Sequence, residues 1–264
     1  MGDSRGDEDG INKNVLNNLL EQAKAANVEF VVFVGDLITG SKHREIHKRR
    51  LVKWKDLTEE YGIPVYIALG NHEITSETSE DIFRSLFEMP DNGPASFKEL
   101  AYSFDYKNSH FVILDTNLYN NFHRLGAPQL EWLKNDLAVN KKDIIFVFGH
   151  EPAYPVAHHL RESLDLFPSE RDELWKIFHN SGVSVYFCGH EHLYNKSIHG
   201  KVYQLITGGA GAKLRTTVEQ GGFYHFVIVD VMDNGDFEIT VKDIKGKIRD
   251  NFMVWNFKKQ NSNH

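Results

Sequence analysis

Val183-Ser184-Val185-Tyr186-Phe187-Cys188 is an apolar run that stops at Gly189, with His190-Glu191-His192 directly behind it. Three further runs have the same form: Phe33-Val34-Gly35-Asp36, Ala68-Leu69-Gly70-Asn71-His72 and Val147-Phe148-Gly149-His150. In an open α/β sheet the ligand site lies beyond the carboxyl ends of the strands. Side chains placed just after four strands therefore converge although they are far apart in sequence. Glycine ahead of each lets the backbone turn sharply there. Gly2-Asp3-Ser4-Arg5 opens the chain as a fifth candidate. Each motif alone reads as a turn or a loop; the ordered set reads as a metal site.

Outward from these turns, short apolar runs alternate with amphipathic stretches, the pattern of an α/β fold. Ile11, Val15, Leu16, Leu19, Leu20 and Ala23 recur at helical spacing, ahead of a strand over 28–34. A helix over 43–60, a strand over 65–69, a short helix over 81–87 and paired strands over 101–106 and 110–115 follow. The spacing then predicts a helix over 129–139 begun by Pro128, a buried strand over 144–148, a helix over 170–179 and a strand over 183–188. From Lys196 onward only strands are expected, over 202–207, 223–231, 237–241 and 248–255, with Asp233-Asn234-Gly235 as a hairpin turn. No linker, repeat or low-complexity segment divides the chain, so residues 1–264 are expected to form a single domain.

The composition excludes several classes. Of 264 residues, 41% are hydrophobic and 25% charged, which describes a globular chain rather than a disordered one. Its apolar runs fall far below the roughly 18 residues that span a bilayer, so no membrane partner is expected. Thirty Lys and Arg against 37 Asp and Glu give a net charge of −7, which offers no footprint for nucleic acid. The basic cluster from Lys42 to Lys55 alternates with Glu45 and apolar residues as a helix surface does. The N-terminus has neither a basic n-region nor an apolar h-region, and one cysteine, Cys188, permits no internal disulfide. A cytoplasmic location is the expectation, although an export signal already removed would leave the same sequence. Fourteen histidines are many for this length.

The ordered motifs resemble those of the calcineurin-like metallophosphoesterase family, with blocks Asp-x-His, Gly-Asp, Gly-Asn-His-Asp/Glu, a His block and Gly-His-x-His. Thr207-Gly208-Gly209-Ala210-Gly211 and the Gln129-Leu130-Glu131-Trp132-Leu133 helix look like those of its purple-acid-phosphatase-like branch. The resemblance runs from Asp3 to about Gly211. It implies a four-layer α-β-β-α sandwich of two mixed sheets flanked by helices. It also implies a dinuclear centre of Mn, Fe or Zn, with Asp36 bridging, Asp3 and His192 on one ion, and Asn71, His150 and His190 on the other. The implied reaction is hydrolysis of a phosphomonoester or phosphodiester by metal-activated water, taking a small phosphorylated substrate and releasing inorganic phosphate. His72 would act on the leaving group or the charge developing on phosphorus, with Glu73 as its orienting partner.

Two departures stand out. Arg5 occupies the place of a ligand histidine, and a guanidinium offers only donors, so it cannot ligate. Arg5 is expected either to clamp a phosphate oxygen or to pair at the surface with Asp7 or Glu8. The apolar strand that the family places before its first aspartate is missing, with only Met1 and Gly2 ahead of Asp3. Asp3 is therefore expected on a frayed terminus, with weak metal occupancy there. His123 and Arg124, in the loop after Asp115-Thr116-Asn117, are candidate phosphate contacts. His158 and His159 either line the mouth or are simply exposed, and Tyr154 is expected to pack. His43 and His47 are four apart on a helix surface without an accompanying carboxylate motif. Two rival readings are a catalytically silent metal-binding scaffold for protein interaction and, among enzymes, a nuclease or cyclic nucleotide phosphodiesterase.

Overall fold

A computed structural model describes residues 1–6 and 9–255. The first helical spacing forms α1 (Lys13–Ala25), which buries Val15, Leu16, Leu19, Leu20 and Ala23 and is capped by the Asn12 side chain accepting from Val15 N. Then come β1 (Val31–Val34), α2 (Arg44–Glu59), β2 (Val65–Ala68), α3 (Ser79–Leu86), β3 (Tyr102–Tyr106) and β4 (Ser109–Ile113). A small hairpin, β5 (Asn117–Leu118) and β6 (Asn121–Phe122), precedes α4 (Ala127–Val139), β7 (Ile144–Phe148), α5 (Pro168–Ser181) and β8 (Val185–Cys188). The last third is β9 (Tyr194–His199), β10 (Val202–Thr207), β11 (His225–Val231), β12 (Phe237–Asp243) and β13 (Ile248–Val254). No helix among the described residues is long and apolar enough to cross a membrane.

Most expected elements are present, and the exceptions have local causes. β1 begins at Val31 rather than 28 because Val28 N still donates to Ala23 O at the end of α1. β9 escaped the sequence reading because it is a half-exposed edge strand rich in polar residues, which carries little apolar signal.

A mixed six-stranded sheet, ordered β3-β4-β7-β8-β10-β9, forms one layer. β7 shows how it is faced. Ile144, Phe146 and Phe148 point into an inner cluster with Phe111, Phe187 and Leu205, while Ile145 and Val147 pack on the other face with Leu133 of α4 and Leu174 and Phe178 of α5. Every residue of β7 is buried, as expected of a strand covered on both faces. The second layer supplies Val34, Ala68, Phe237, Ile239 and Val254 to the inner cluster. It is not one continuous sheet: β1 pairs in parallel with β2, and β11-β12-β13 form a separate antiparallel sheet. Helices α1, α2 and α3 cover β1 and β2 from outside through Leu16, Leu51, Trp54, Ile82 and Phe83. The helix, sheet, sheet, helix layering matches the expectation, with the second sheet in two pieces.

One strut ties the edge of the six-stranded sheet to α4. His110 on β4 is buried between Asp105 Oδ1 and Asp136 Oδ2, each 2.8 Å from a ring nitrogen. Burial pulls its proton affinity down, but the hydrogen bonds and charges of Asp136 and Asp105 outweigh that and hold its pKa above the usual 6.5. A histidine pKa raised by folding contributes stability that is complete below the unfolded value and is lost as pH rises through the folded one. The Tm advantage of the wild type over His110→Gln is therefore expected to be largest below about pH 6 and to shrink on going to pH 8. A thermal series across that range checks this; an advantage that grows with pH contradicts it.

Candidate metal centre

The carboxyl ends of β1, β2, β7 and β8 deliver Asp36, Asn71 with His72, His150, and His190 with His192 to one place. Gly35 makes the first turn possible: its φ is +83°, and a Cβ there would lie 2.6 Å from His150 Nδ1. Asp3, Asp36 and His190 adopt the left-handed backbone with φ of 62°, 53° and 69°, a strain that concentrates at functional sites. Asp3 is not on a frayed terminus. Its N–H donates to Gly35 O (2.9 Å), its carbonyl accepts from Ala212 N (2.7 Å), and its side chain is fully buried.

The proton on each imidazole can be assigned, because a carbonyl only accepts. His150 Nδ1 donates to Val34 O, His190 Nε2 to Glu162 O and His192 Nδ1 to Lys213 O, all at 2.8 Å. In the neutral rings the lone pairs are then on His150 Nε2, His190 Nδ1 and His192 Nε2. His150 Nε2 is 3.1 Å from His190 Nδ1, 3.1 Å from Asn71 Oδ1 and 3.4 Å from Asp36 Oδ1. Lone pairs of four groups thus face one another, as ligands roughly 2.0–2.2 Å from a shared ion do. Burial keeps His150 and His190 below the ordinary histidine pKa, which favours the neutral, ligating form. Burial opposes ionisation of Asp36, but electrostatic attraction to the facing His150 and His72 rings and to Arg5, the permanent cation among them, outweighs it and holds its carboxyl below the usual range. These donors fit a transition-metal ion.

The neighbouring position is different. Asp3, Asp36 and His192 offer donors, and Asp3 Oδ1 is buried with no hydrogen-bond partner, 3.6 Å from His192 Nε2. Asp3, Asp36 and His150 have ligand atoms close enough for a shared cation. Burial and the charge of Asp36 push the Asp3 carboxyl well above its ordinary pKa, so a cation there relieves two crowded carboxylates. Arg5 already brings one: Nε is 3.2 Å from Asp36 Oδ2, and an Nη donates to His192 Nε2 at 3.2 Å. The surface pair with Asp7 or Glu8 lies outside the described residues, and Arg5 faces the centre.

His72 stands at the rim, 28% exposed, with Nε2 3.9 Å from Asp36 Oδ2. Gly40 N donates to its Nδ1, which leaves the proton of the neutral ring on Nε2. Glu73 does not orient it. Its carboxylate turns inward and accepts from Asp36 N (2.8 Å), Gly70 N (2.9 Å) and Ile38 N (3.2 Å), which fixes the turns after β1 and β2. Glu191, between the two histidines of its motif, accepts from the N–H groups of Val156, Ala157 and His159 and anchors the loop beside the centre. On that loop His159 stacks on His190 with ring centroids 3.9 Å apart, and His158 is 5.5 Å from His192, so both face the mouth rather than open solvent. His123 hydrogen-bonds Glu151 Oε1 at 2.9 Å, next to His150. Arg124 is directed elsewhere: its guanidinium bonds Glu170 Oε2 and covers Phe167. Tyr154 packs on His199 as expected. His43 is exposed, but His47 is buried rather than on the helix surface, and its Nδ1 accepts from Ser41 N.

The bracing roles of Glu73 and Glu191 were missed. A carboxylate accepting backbone N–H groups, as Glu73 does, leaves no sequence pattern.

The family model for calcineurin-like phosphoesterases matches residues 9–194. By sequence the chain is 28% identical over 200 residues to purple acid phosphatase 23 of Arabidopsis thaliana, covering 72% of this chain and 42% of that protein. It spans about half the length, or less, of the curated relatives it matches. By structure it is similar to a purple acid phosphatase from yellow lupin (Lupinus luteus) seeds, with a TM-score of 0.74 at 18% identity over 97% of this chain and 53% of that one. It is also similar to a dimetal phosphatase from Danio rerio, with a TM-score of 0.69 at 15% identity over 97% of both chains. At those identities the structural likeness speaks for the fold.

Glu73→Gln sets an amide donor against at least one backbone N–H. The expected result is a stability loss of about 1–3 kcal/mol and Mn²⁺ binding weakened about 10–100-fold. Urea unfolding and calorimetry on metal-stripped protein read the two effects. Unchanged affinity would make Glu73 a brace of the fold alone.

Proposed function

The chain belongs to the calcineurin-like phosphoesterase family, and from that premise we propose that it hydrolyses phosphoric esters, mono- or diesters of small molecules, releasing the phosphoryl product and an alcohol. Enzymes of this family use a dinuclear transition-metal centre. The observation that carries the reading is the set of facing lone pairs on Asp36, Asn71, His150 and His190, which have no proton to share and suit a cation. Those four residues would hold one ion, and Asp3, Asp36 and His192 the other, Asp36 serving both. Mn, Fe and Zn suit this mixture of oxygen and imidazole. Bound there, such ions act as Lewis acids and lower the pKa of a coordinated water.

The chain's own residues divide the remaining work. A water oxygen bonds to phosphorus and gives up a proton to solvent while the ester P–O bond breaks, its electron pair going to the leaving oxygen, which takes a proton from solvent to leave as the alcohol. Burial lowers the pKa of His72, so near neutral pH its ring is uncharged with Nε2–H outward. This supports hydrogen-bond donation to the oxygens gaining charge, rather than delivery of a whole proton. Arg5, directed inward between Asp36 and His192, is suited to clamp a phosphoryl oxygen. His123 and His159 are further candidate contacts at the mouth; Arg124, bound to Glu170, is the weakest of the expected contacts. The outward donor on His72 argues against a silent scaffold, which needs no such group.

Metal-stripped protein is expected to lose hydrolysis of p-nitrophenyl phosphate and bis-p-nitrophenyl phosphate and to recover it with Mn²⁺, Fe²⁺ or Zn²⁺. His72→Ala is expected to reduce kcat by about 10²–10⁴-fold with metal content unchanged. Turnover that survives chelation, or no turnover in protein shown to bind metal, overturns the proposal. For Arg5→Ala a raised KM with metal content retained is expected; unchanged kinetics and metal content would remove Arg5 from the site.

A further inference from the structure

The two positions of the centre differ in one respect. Around His150 the ligand atoms of Asp36, Asn71, His150 and His190 face one another with no cationic side chain bonded among them. Around Asp3 the ligand atoms of Asp36 and His192 are engaged by a guanidinium: an Nη of Arg5 donates to His192 Nε2 at 3.2 Å, and its Nε lies 3.2 Å from Asp36 Oδ2. The direction of the first bond is fixed from both ends. Arg5 has no lone pair to offer, and His192 carries its ring proton on Nδ1, which donates to Lys213 O. A neutral imidazole has one acceptor nitrogen, so His192 Nε2 serves either Arg5 or an ion and never both at once. Charge acts in the same sense. Asp3 and Asp36 are two buried carboxyl groups. Arg5 balances one of them, and a divalent ion among His150, His190, Asn71 and Asp36 more than balances the other. A second ion thus meets a centre with no negative charge left to neutralise for as long as Arg5 stays.

We propose that Arg5 is a displaceable competitor for the second ion: it takes the His192 lone pair while one ion is bound, and the second ion enters only as the guanidinium swings out to the mouth. The means of displacement are built in. The backbone of Arg5 is fixed, its N–H donating to Asp36 O at 3.1 Å and the residue bridging to Ile11. Its side chain is 20% exposed, and Nε meets Asp36 by charge alone, with no hydrogen bond of its own. The guanidinium therefore has a way out about an anchored Cα, and one hydrogen bond to break. Once outside, it is free to take a phosphoryl oxygen in place of His192, so the clamp on substrate and the completion of the centre are one movement. The ions then bind in a fixed order, first among His150, His190, Asn71 and Asp36, and Arg5 sets how much metal is needed to fill the second place. This inference rests on the phosphoesterase reading and its ligand assignment.

The test titrates the whole, metal-stripped chain with Mn²⁺, followed by calorimetry and by electron paramagnetic resonance, in which a coupled pair of ions is distinguished from a single one. The wild type is expected to bind two ions in separate steps, the second weaker. In Arg5→Ala the second step is expected to tighten about 10–100-fold relative to the first, the worth of a charge-assisted hydrogen bond, and the coupled signal to appear at correspondingly lower Mn²⁺, with two ions per chain at saturation in both proteins. A second measurement needs no variant: with Zn²⁺, solvent exchange of the Arg5 Nε–H is expected to stay slow at one ion per chain and to speed up at two. Four results overturn the proposal: a second step that tightens no more than the first in Arg5→Ala, both ions entering the wild type in a single step, Arg5 exchange unchanged between one and two ions, or a wild type that stops at one ion while Arg5→Ala takes two, which makes Arg5 a permanent substitute. Absence of Mn²⁺ binding in either protein overturns the metal-centre reading itself and this inference with it.

Discussion

Three backbone carbonyls govern the chemistry of this protein. Val34 O, Glu162 O and Lys213 O each accept from a proton-bearing ring nitrogen, and that choice leaves the lone pair of His150, His190 and His192 on the opposite nitrogen, facing the centre, where Arg5 meets that of His192. The carbonyls come from unrelated places: the end of β1, the loop before α5 and the loop after β10. A correct set of lone pairs therefore exists only when both sheets and the mouth loop are in register. Folding and ligand chemistry are one problem here, and the apolar clusters that align the layers are part of the site.

The same dependence explains what the sequence disclosed. Asp36, Asn71, His150, His190 and His192 were legible because an apolar run and a glycine fix where a strand stops, and the end of a strand in an α/β sheet has a known place. Arg5 was legible as an anomaly, but its direction was not, since a long flexible donor carries no spacing. His47 was misread although its signal was present: with Leu51, Trp54 and Thr58 it forms the buried stripe of α2, and its ring belongs to that stripe rather than to His43. Glu73 and Glu191 were invisible in their bracing roles because their partners are backbone N–H groups, which every residue but proline possesses.

The divided layer was half legible. The expectation of a loose aspartate at Asp3 failed because Met1 to Asp3 are held between β1 and Ala210 to Ala212 by hydrogen bonds on both sides. Backbone pairing on two flanks immobilises three residues that have no regular element of their own. The left-handed conformation of Asp3, Asp36 and His190 is sustained in the same manner, by neighbours that allow no alternative.

Glu191 has one more effect. Its buried side chain accepts from three N–H groups within four residues of the mouth loop, while its chain neighbours on both sides are the histidines of the centre. Swinging that loop aside would strip a buried charge of its donors and tug on His190 and His192 together. The loop beside the centre is thus braced to the segment that carries both histidines rather than hung as a free flap.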